Sequence, residues 1–325
     1  MRRLWLALLI VTGAFALAAC STEEEPEENG ENGENGNGDP EPIETVDIYY
    51  LNDLHGAVHK DGEEMGAAYI ANFLRHRIDD NPEGTFILAG GDMISGTDYA
   101  DHSDGEALIH IMNAAGFDAL AIGNHEFDYG QETLLEYFHP SRGIAEFPLL
   151  GANVIEEGGE RPPTGIETNV IIERSGLRVG IIGTIEEGVD DVIPPSYLEG
   201  LAPFENPAPI VEGLARNMRN IFNVDIVLLL THDRGYVNED VEAFEEPYVD
   251  VIFNAHDHKE WTNLEGVPSI QSGYNGIYVG HVQLTLENNE IVNITMQNLT
   301  AEDDELFLSP CPEVEAIIEE YAPND

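Results

Sequence analysis

An α/β fold built on mixed sheets is what this sequence predicts. Short runs of β-branched and apolar residues alternate with segments whose apolar residues recur at helical spacing, the alternation that layers helices against sheets. The last apolar runs follow one another through turns with no helical segment between them, which adds antiparallel pairing.

In chain order, "VDIYYL" (46–51) reads as the first strand. A helix follows over 65–78, where Met65, Tyr69, Ile70, Phe73 and Leu74 share one face. "TFILAG" (85–90) is a second strand, and 105–115 is a helix carrying Leu108, Ile109, Ile111 and Met112. "DALAIG" (118–123) is a third strand, followed by a helix over 130–138. "PLLGANV", "NVIIE" and "LRVGIIG" place further strands between 148 and 183. A helix over 206–222 precedes "VDIVLLL" (224–230), and "VDVIFNA" (249–255), "VPSIQSG" (267–273), "GIYVGHVQLTL" (276–286) and "EIVNITMQN" complete the strand set.

The chain opens MRRLWLALLIVTGAFALAAC. Two arginines, an apolar run and small residues make an export signal that is short for a membrane span. Leu17-Ala18-Ala19-Cys20 resembles the lipobox of bacterial lipoproteins, so 1–20 is expected to be removed or processed there, with Cys20 lipidated and the protein anchored to the outer side of the cell membrane. An ordinary cleaved signal is the alternative. Residues 21–45 are acidic, low in complexity and rich in Gly, Asn and Pro, the composition of a disordered tether. Residues 46–325 are then long enough for one large domain with a substantial core. Its remaining cysteine, Cys311, has no partner once Cys20 is lipidated, so neither disulfides nor a thiolate set support this fold.

The 63 acidic residues face 13 basic ones, a net charge of −50. No basic stripe exists to release the counterions of a long nucleic acid, which excludes that class of partner. Carboxylates spread over the whole chain fit an acidic surface built for high salt, where self-repulsion is screened. Attraction of divalent cations is the other reading.

Chemistry collects where strands end. "VDIYYL" runs into Asn52, Asp53 and His55; "TFILAG" into Asp92; "DALAIG" into Asn124 and His125; "VDIVLLL" into His232; "VDVIFNA" into His256 and His258. Ligands of open α/β sheets bind beyond the carboxyl ends of the strands. A lone Asp or His there is commonly a turn or cap residue, but five loops in register bring seven ligands together: Asp53, His55, Asp92, Asn124, His232, His256 and His258. Seven suit two ions, and carboxylate, amide and imidazole favour Mn, Fe, Zn or Co.

"LNDLHG", "AGGDMISGT", "GNHEFDYG", "THDRG" and "AHDH" occur in the order found in the calcineurin-like metallophosphoesterases, and "LNDLHG", "GNHEFDYG" and "QSGYNGIYVG" are most similar to the 5′-nucleotidase branch. The resemblance covers about 46–300. It implies a four-layered α/β/β/α sandwich and a pair of divalent metals. Asp53, His55 and His258 would hold the first ion, Asn124, His232 and His256 the second, and Asp92 both. His125 would be the catalytic histidine oriented by Asp128, with Asn124 and His125 facing the substrate and a metal-bound hydroxide attacking phosphorus. The implied substrate is a small phosphate ester, foremost a nucleoside 5′-monophosphate. A 2′,3′-cyclic nucleotide or another phosphodiester is the alternative, and a non-catalytic surface binding module that keeps its metals for structure is the distant one.

The chain departs from the family pattern in places. Asn254-Ala255 stands where Gly-Gly is frequent, and Ala255 fits only if its backbone avoids positive φ. Arg234 follows the His232 motif where small or apolar residues are usual, and reads either as a phosphate clamp or as a surface ion pair. Glu126 is expected in the first turn of the next helix, where a carboxylate suits the dipole. His59, His76, His102, His110, His139 and His281 lack the motif context; His102, on the loop after Asp92, comes nearest. Family nucleotidases carry a second domain that stacks the base, and with the sequence ending at Asp325 that domain is expected to be absent.

The charge reading has a direct test. Dilution from molar salt into low-salt buffer should lower the thermal midpoint, because screening is lost; a midpoint independent of salt would contradict it.

Overall fold

The computed structural model describes residues 43–323. The signal segment, Cys20 and residues 21–42 of the acidic stretch lie outside the described residues. Ile43 packs against apolar side chains between the sheets and Glu44 accepts a hydrogen bond from Leu286 N, so ordered structure begins slightly before residue 46.

The elements follow in order: β1 (Thr45–Leu51), α1 (Ala67–Asp80), β2 (Thr85–Ala89), α2 (Asp98–His102), α3 (Glu106–Ala115), β3 (Ala119–Ala121), α4 (Gln131–Tyr137), β4 (Leu149–Leu150), β5 (Ile166–Glu167), β6 (Asn169–Arg174), β7 (Leu177–Ile185), α5 (Ala208–Asn220), β8 (Ile226–His232), α6 (Tyr236–Glu242), β9 (Val251–Phe253), β10 (Glu260–Asn263), β11 (Ser269–Ser272), β12 (Val279–Glu287), β13 (Glu290–Leu299) and α7 (Pro312–Glu320). The anticipated helices and main strands are present. Short elements that propensity does not announce are additional. α2 exists because the Thr97 side chain caps it, accepting from Ala100 N at 3.2 Å. α6 starts where Asp233 Oδ1 accepts from Gly235 N and Val237 N. β10 forms only through antiparallel pairing with β11.

Two mixed sheets result. One has the order β13-β12-β1-β2-β3-β4-β5 and the other β10-β11-β9-β8-β7-β6. In the first, β1 to β5 are parallel and β12 and β13 join antiparallel. In the second, β7, β8, β9 and β11 are parallel, flanked by antiparallel β6 and β10.

The layering follows from alternation along strands that are apolar on both faces. Val46, Ile48 and Tyr50 of β1, Phe86 and Leu88 of β2, and Ile226, Leu228 and Leu230 of β8 fill the space between the sheets. Their neighbours Tyr49, Leu51, Ile87 and Ala89 face outward onto α1 and α3 through Ile70, Phe73, Leu74, Leu108 and Ile111. On the far side Val227 and Leu229 meet Val211, Ala215 and Met218 of α5 and Val237 and Val241 of α6. The result is the four-layered α/β/β/α sandwich.

Polar links fix how the sheets face one another. The Tyr50 hydroxyl, fully buried, donates to the Asn254 carbonyl at 2.6 Å, tying β1 to the loop after β9. Ala152 N donates to Gly183 O of β7 at 2.7 Å. At Gly183 the approach is so close that an added Cβ would stand 2.1 Å from Leu150 Cβ and 2.8 Å from the Leu150 backbone. The parallel strands of both sheets therefore run out at one common edge of the sandwich.

That contact yields a pair of opposite expectations in urea unfolding. Gly183→Ala should destabilise by roughly 1–3 kcal/mol or more, since overpacked backbone has nowhere to move. Gly213→Ala, in α5 with nothing within 4 Å of the new methyl, should stabilise by up to about 1 kcal/mol. Equal midpoints for the two variants would refute this account of the sheet packing.

Candidate metal centre

Six strand ends converge at the common edge. β1 delivers Asp53 and His55, β2 Asp92, β3 Asn124 and His125, β7 Glu186, β8 His232, and β9 His256 and His258. The first two loops are laced by backbone bonds, Asp53 N to Gly91 O at 3.0 Å and His55 N to Asp92 O at 2.9 Å. Asp53, His55, Asp92, His256 and His258 all have φ between 48° and 81°. Left-handed backbone at non-glycine residues costs on the order of 1 kcal/mol each and persists where surrounding structure enforces it. Ala255, by contrast, lies outside that region, so alanine in place of the usual glycine is unstrained.

Among the described residues, three groups bring His, Asp or Glu atoms within 4.8 Å of one another: Asp53 with His55 and His258, Asp92 with His232 and His256, and Asp92 with His55 and His125. The first two set His55 and His258 with Asp53, apart from His232 and His256 with Asp92, and Asp92 belongs to two of the three groups. In the first, His258 Nε2 and His55 Nε2 stand 3.4 and 3.8 Å from Asp53 Oδ1. In the second, His232 Nε2 is 3.1 Å from Asp92 Oδ2 and 3.1 Å from His256 Nδ1. The second is the drier: the His232 side chain has no exposed surface, whereas that of His258 is 42% exposed. The His258 ring is stacked on Tyr274, centroids 5.1 Å apart.

The residues fit divalent ions on three counts. Asp53 Oδ1 and Asn124 Oδ1 are buried without a hydrogen-bond partner, although buried oxygens are otherwise nearly always satisfied. Imidazole nitrogens face one another, His55 Nε2 and His258 Nε2 at 2.9 Å. Outer partners already orient the ligands: His232 Nδ1 donates to the Gly90 carbonyl at 2.8 Å, which leaves Nε2 as the ligating atom. Asn52 donates to Asp53 Oδ2 and to the Gly273 carbonyl, while His256 N donates to the same Asp53 oxygen at 2.9 Å.

Charge is tightly coupled here. Burial opposes a charged His232, but the Asp92 carboxylate beside it wins and raises its pKa to about 10; Asp92 is correspondingly lowered despite its burial. His256 is lowered to about 4, by burial and then by His232 and Arg234. His125 is raised to about 9, first by its bond to Asp128. That bond joins His125 Nδ1 to Asp128 Oδ2 at 2.8 Å, and Ser95 Oγ donates to the same oxygen at 2.7 Å. Asp128 thus contacts both His125 and Ser95 through one oxygen.

Glu126 does lie in the first turn of a short 3₁₀ helix, His125–Phe127, but its carboxylate is spent on more than that helix: it is buried and accepts three backbone N–H bonds, from Asp92 and Gly123 on Oε2 and from Met93 on Oε1, each at 2.7 Å. Burial, then the charge of Asp92, raises its pKa to about 7. Its carboxylate fastens the end of β2 to the end of β3. Gly123 is what permits this, because a Cβ there would lie 2.3 Å from Asp92 Oδ1. Glu186 is the other residue that the sequence does not announce, because the strand of "LRVGIIG" extends to Ile185. It pairs with Arg234, Oε1 to Nη1 at 3.2 Å. Arg234 also places Nη2 2.6 Å from His256 Nε2, so it is ion-paired and at the rim of the cluster together. His102 is exposed at the end of α2 and belongs to none of the three groups. His281 is structural, bonded to Asp47 and stacked on Tyr49.

Comparison with known proteins agrees with this geometry. Residues 46–260 match the calcineurin-like phosphoesterase family. The chain is 24% identical to Protein UshA of Yersinia enterocolitica over 288 residues, 78% of this chain and 51% of that protein. It is 29% identical to a 5′-nucleotidase of Vibrio cholerae over 196 residues, 59% of this chain and 34% of that protein. The chain thus spans about half or less of the length of these curated relatives. The crystal structure of calcineurin-like phosphoesterase YfkN from Bacillus subtilis shares the fold, with a TM-score of 0.72 at 21% identity over 86% of this chain and 97% of that one.

Glu126→Ala would strand three buried donors, each costing about 1–3 kcal/mol, and loosen Asp92. Thermal melts should show a lower midpoint and a smaller rise on adding Mn²⁺, a rise worth about 2.7 kcal/mol in a protein holding the ion at a hundred times its Kd. Exposed Glu132→Ala should leave both unchanged. An undiminished Mn²⁺ response in Glu126→Ala would refute the anchoring role.

Proposed function

The chain belongs to the calcineurin-like phosphoesterase family, and from that premise we propose that it hydrolyses small phosphate esters, nucleoside 5′-monophosphates first among them, on a pair of divalent ions. Asp53, His55 and His258 would hold one ion, Asn124, His232 and His256 the other, and Asp92 both. When bound, such a pair supplies Lewis acidity that activates water and spreads the charge developing at phosphorus.

The observation that carries this reading is the His125–Asp128 pair. Asp128 holds Nδ1 at 2.8 Å, which leaves Nε2 as the open ring nitrogen of a histidine grouped with His55 and Asp92. An imidazole anchored on one nitrogen and open on the other can donate a proton to a leaving oxygen or a hydrogen bond to a phosphoryl oxygen. Structural ions need no such group, so the pair favours an enzyme over a metal-bearing binding module. The names of the relatives, UshA and 5′-nucleotidase, support nucleotides as the substrate class. The leader and Cys20 support a site of action outside the cell membrane, tethered by lipid.

With Mn²⁺ present, phosphate should be released from 5′-AMP faster than from 2′,3′-cyclic AMP, and the reverse ranking would favour the diesterase alternative. His125→Ala should lower kcat by about 10²–10⁴ while the Mn²⁺-induced rise in melting temperature persists. No phosphate from any ester in a broad panel would overturn the enzyme reading.

A further inference from the structure

Arg234 and His256 form a contact that dictates where a proton sits. Nη2 lies 2.6 Å from His256 Nε2. A guanidinium only donates, so Nε2 is the acceptor and the imidazole proton resides on Nδ1. Nδ1 is the nitrogen turned into the cluster, 3.1 Å from His232 Nε2, and His256 joins Asp92 and His232 in one candidate ligand group. A nitrogen that bears a proton has no lone pair for an ion. Contact with Arg234 and ligation through Nδ1 are therefore mutually exclusive.

The rest of the arginine is secured independently. Glu186, nearly buried, holds Nη1 at 3.2 Å and accepts from Arg234 N at 3.3 Å. The loop end is fixed in turn, since Glu186 N donates to the His232 carbonyl at 3.0 Å. With Nη1 and the backbone retained, loss of His256 frees Nη2 without letting the side chain leave the rim, where 39% of its surface is exposed.

We propose that Arg234 is a phosphoryl-binding residue gated by metal loading. Filling the His232–His256 group moves the His256 proton from Nδ1 to Nε2, with no net gain or loss of protons. The new Nε2–H opposes the guanidinium, Nη2 swings off, and it donates to an oxygen of the substrate's phosphoryl group. The inference rests on the reading of the cluster as a phosphoesterase metal centre, and it adds an order of events: the anion-binding arm becomes available only when the ions are in place.

The test uses the ¹⁵N-labelled full chain with Zn²⁺, a diamagnetic probe, and inorganic phosphate. Two-bond ¹H–¹⁵N correlations should show His256 protonated at Nδ1 without metal and at Nε2 with Zn²⁺. By calorimetry, Arg234→Met should bind Zn²⁺ about fivefold or more tightly than wild type, because the competing contact is gone. The Zn²⁺-loaded variant should bind phosphate about tenfold more weakly, the loss of one charged hydrogen bond. A metal-free wild type already protonated at Nε2 would overturn the proposal, as would a folded variant with unchanged affinities. The tautomer measurement needs no variant, so it decides the matter even if Arg234→Met fails to fold. Wild type that binds no Zn²⁺ would defeat the metal-centre reading as well, whereas Zn²⁺ binding with the wrong tautomer defeats this inference alone.

Discussion

Three backbone N–H groups at the ends of two neighbouring strands point at one carboxylate, that of Glu126. Parallel strands leave such donors open at their carboxyl ends, and burial without partners would be costly. By accepting all three, Glu126 closes the gap between β2 and β3 and fixes the backbone that carries Asp92 and Asn124. Asp92 in turn accepts from His125 N at 2.8 Å, so the candidate ligands on these loops are positioned by hydrogen bonds to the main chain rather than by side-chain packing alone. The left-handed residues at five of the seven positions are tolerable inside that frame. The sandwich supplies the counterpart: close sheet contact at Gly183 and the Tyr50–Asn254 bond bring the second sheet's histidines against the first sheet's carboxylates.

Charge is distributed with similar economy. Arg75, Arg77, Arg142, Arg174, Arg178, Arg219, Arg234 and Lys259 each pair with a carboxylate. The scarce cations are thus committed to local contacts, and a molecule of net charge −50 has few left to draw an anionic substrate. The long-range field would repel a phosphate ester from most of this surface. On the function proposed above, recognition would come at short range, from the ions the cluster can hold and from the imidazole and guanidinium groups around it.

The layering was legible because doubly apolar strands and amphipathic helices announce themselves by period, and the seven candidate ligands because Asp, Asn and His directly after such strands are conspicuous. Glu126 and Glu186 were not legible in the same way. Two of the three backbone donors that set what Glu126 does lie more than thirty residues away in the chain, which no local pattern encodes; on its own turn it looks like an ordinary helix-start acid. Glu186 follows a strand that runs beyond its most apolar part. Arg234 is ambiguous in sequence for a related reason: its planar group has enough donors to meet Glu186 and His256 at once.

The two halves of the cluster differ in their access to water. His232 and Asp92 lie at the floor, while His258 stands half in solvent against the open ring of Tyr274. Ligand exchange is governed by how readily water can replace a departing donor. An ion at the floor would therefore have a long residence time, and one beside His258 would turn over quickly with the medium. Two ions of the same element would then behave as different species in time: one close to a permanent part of the protein, the other set by whatever the surroundings supply.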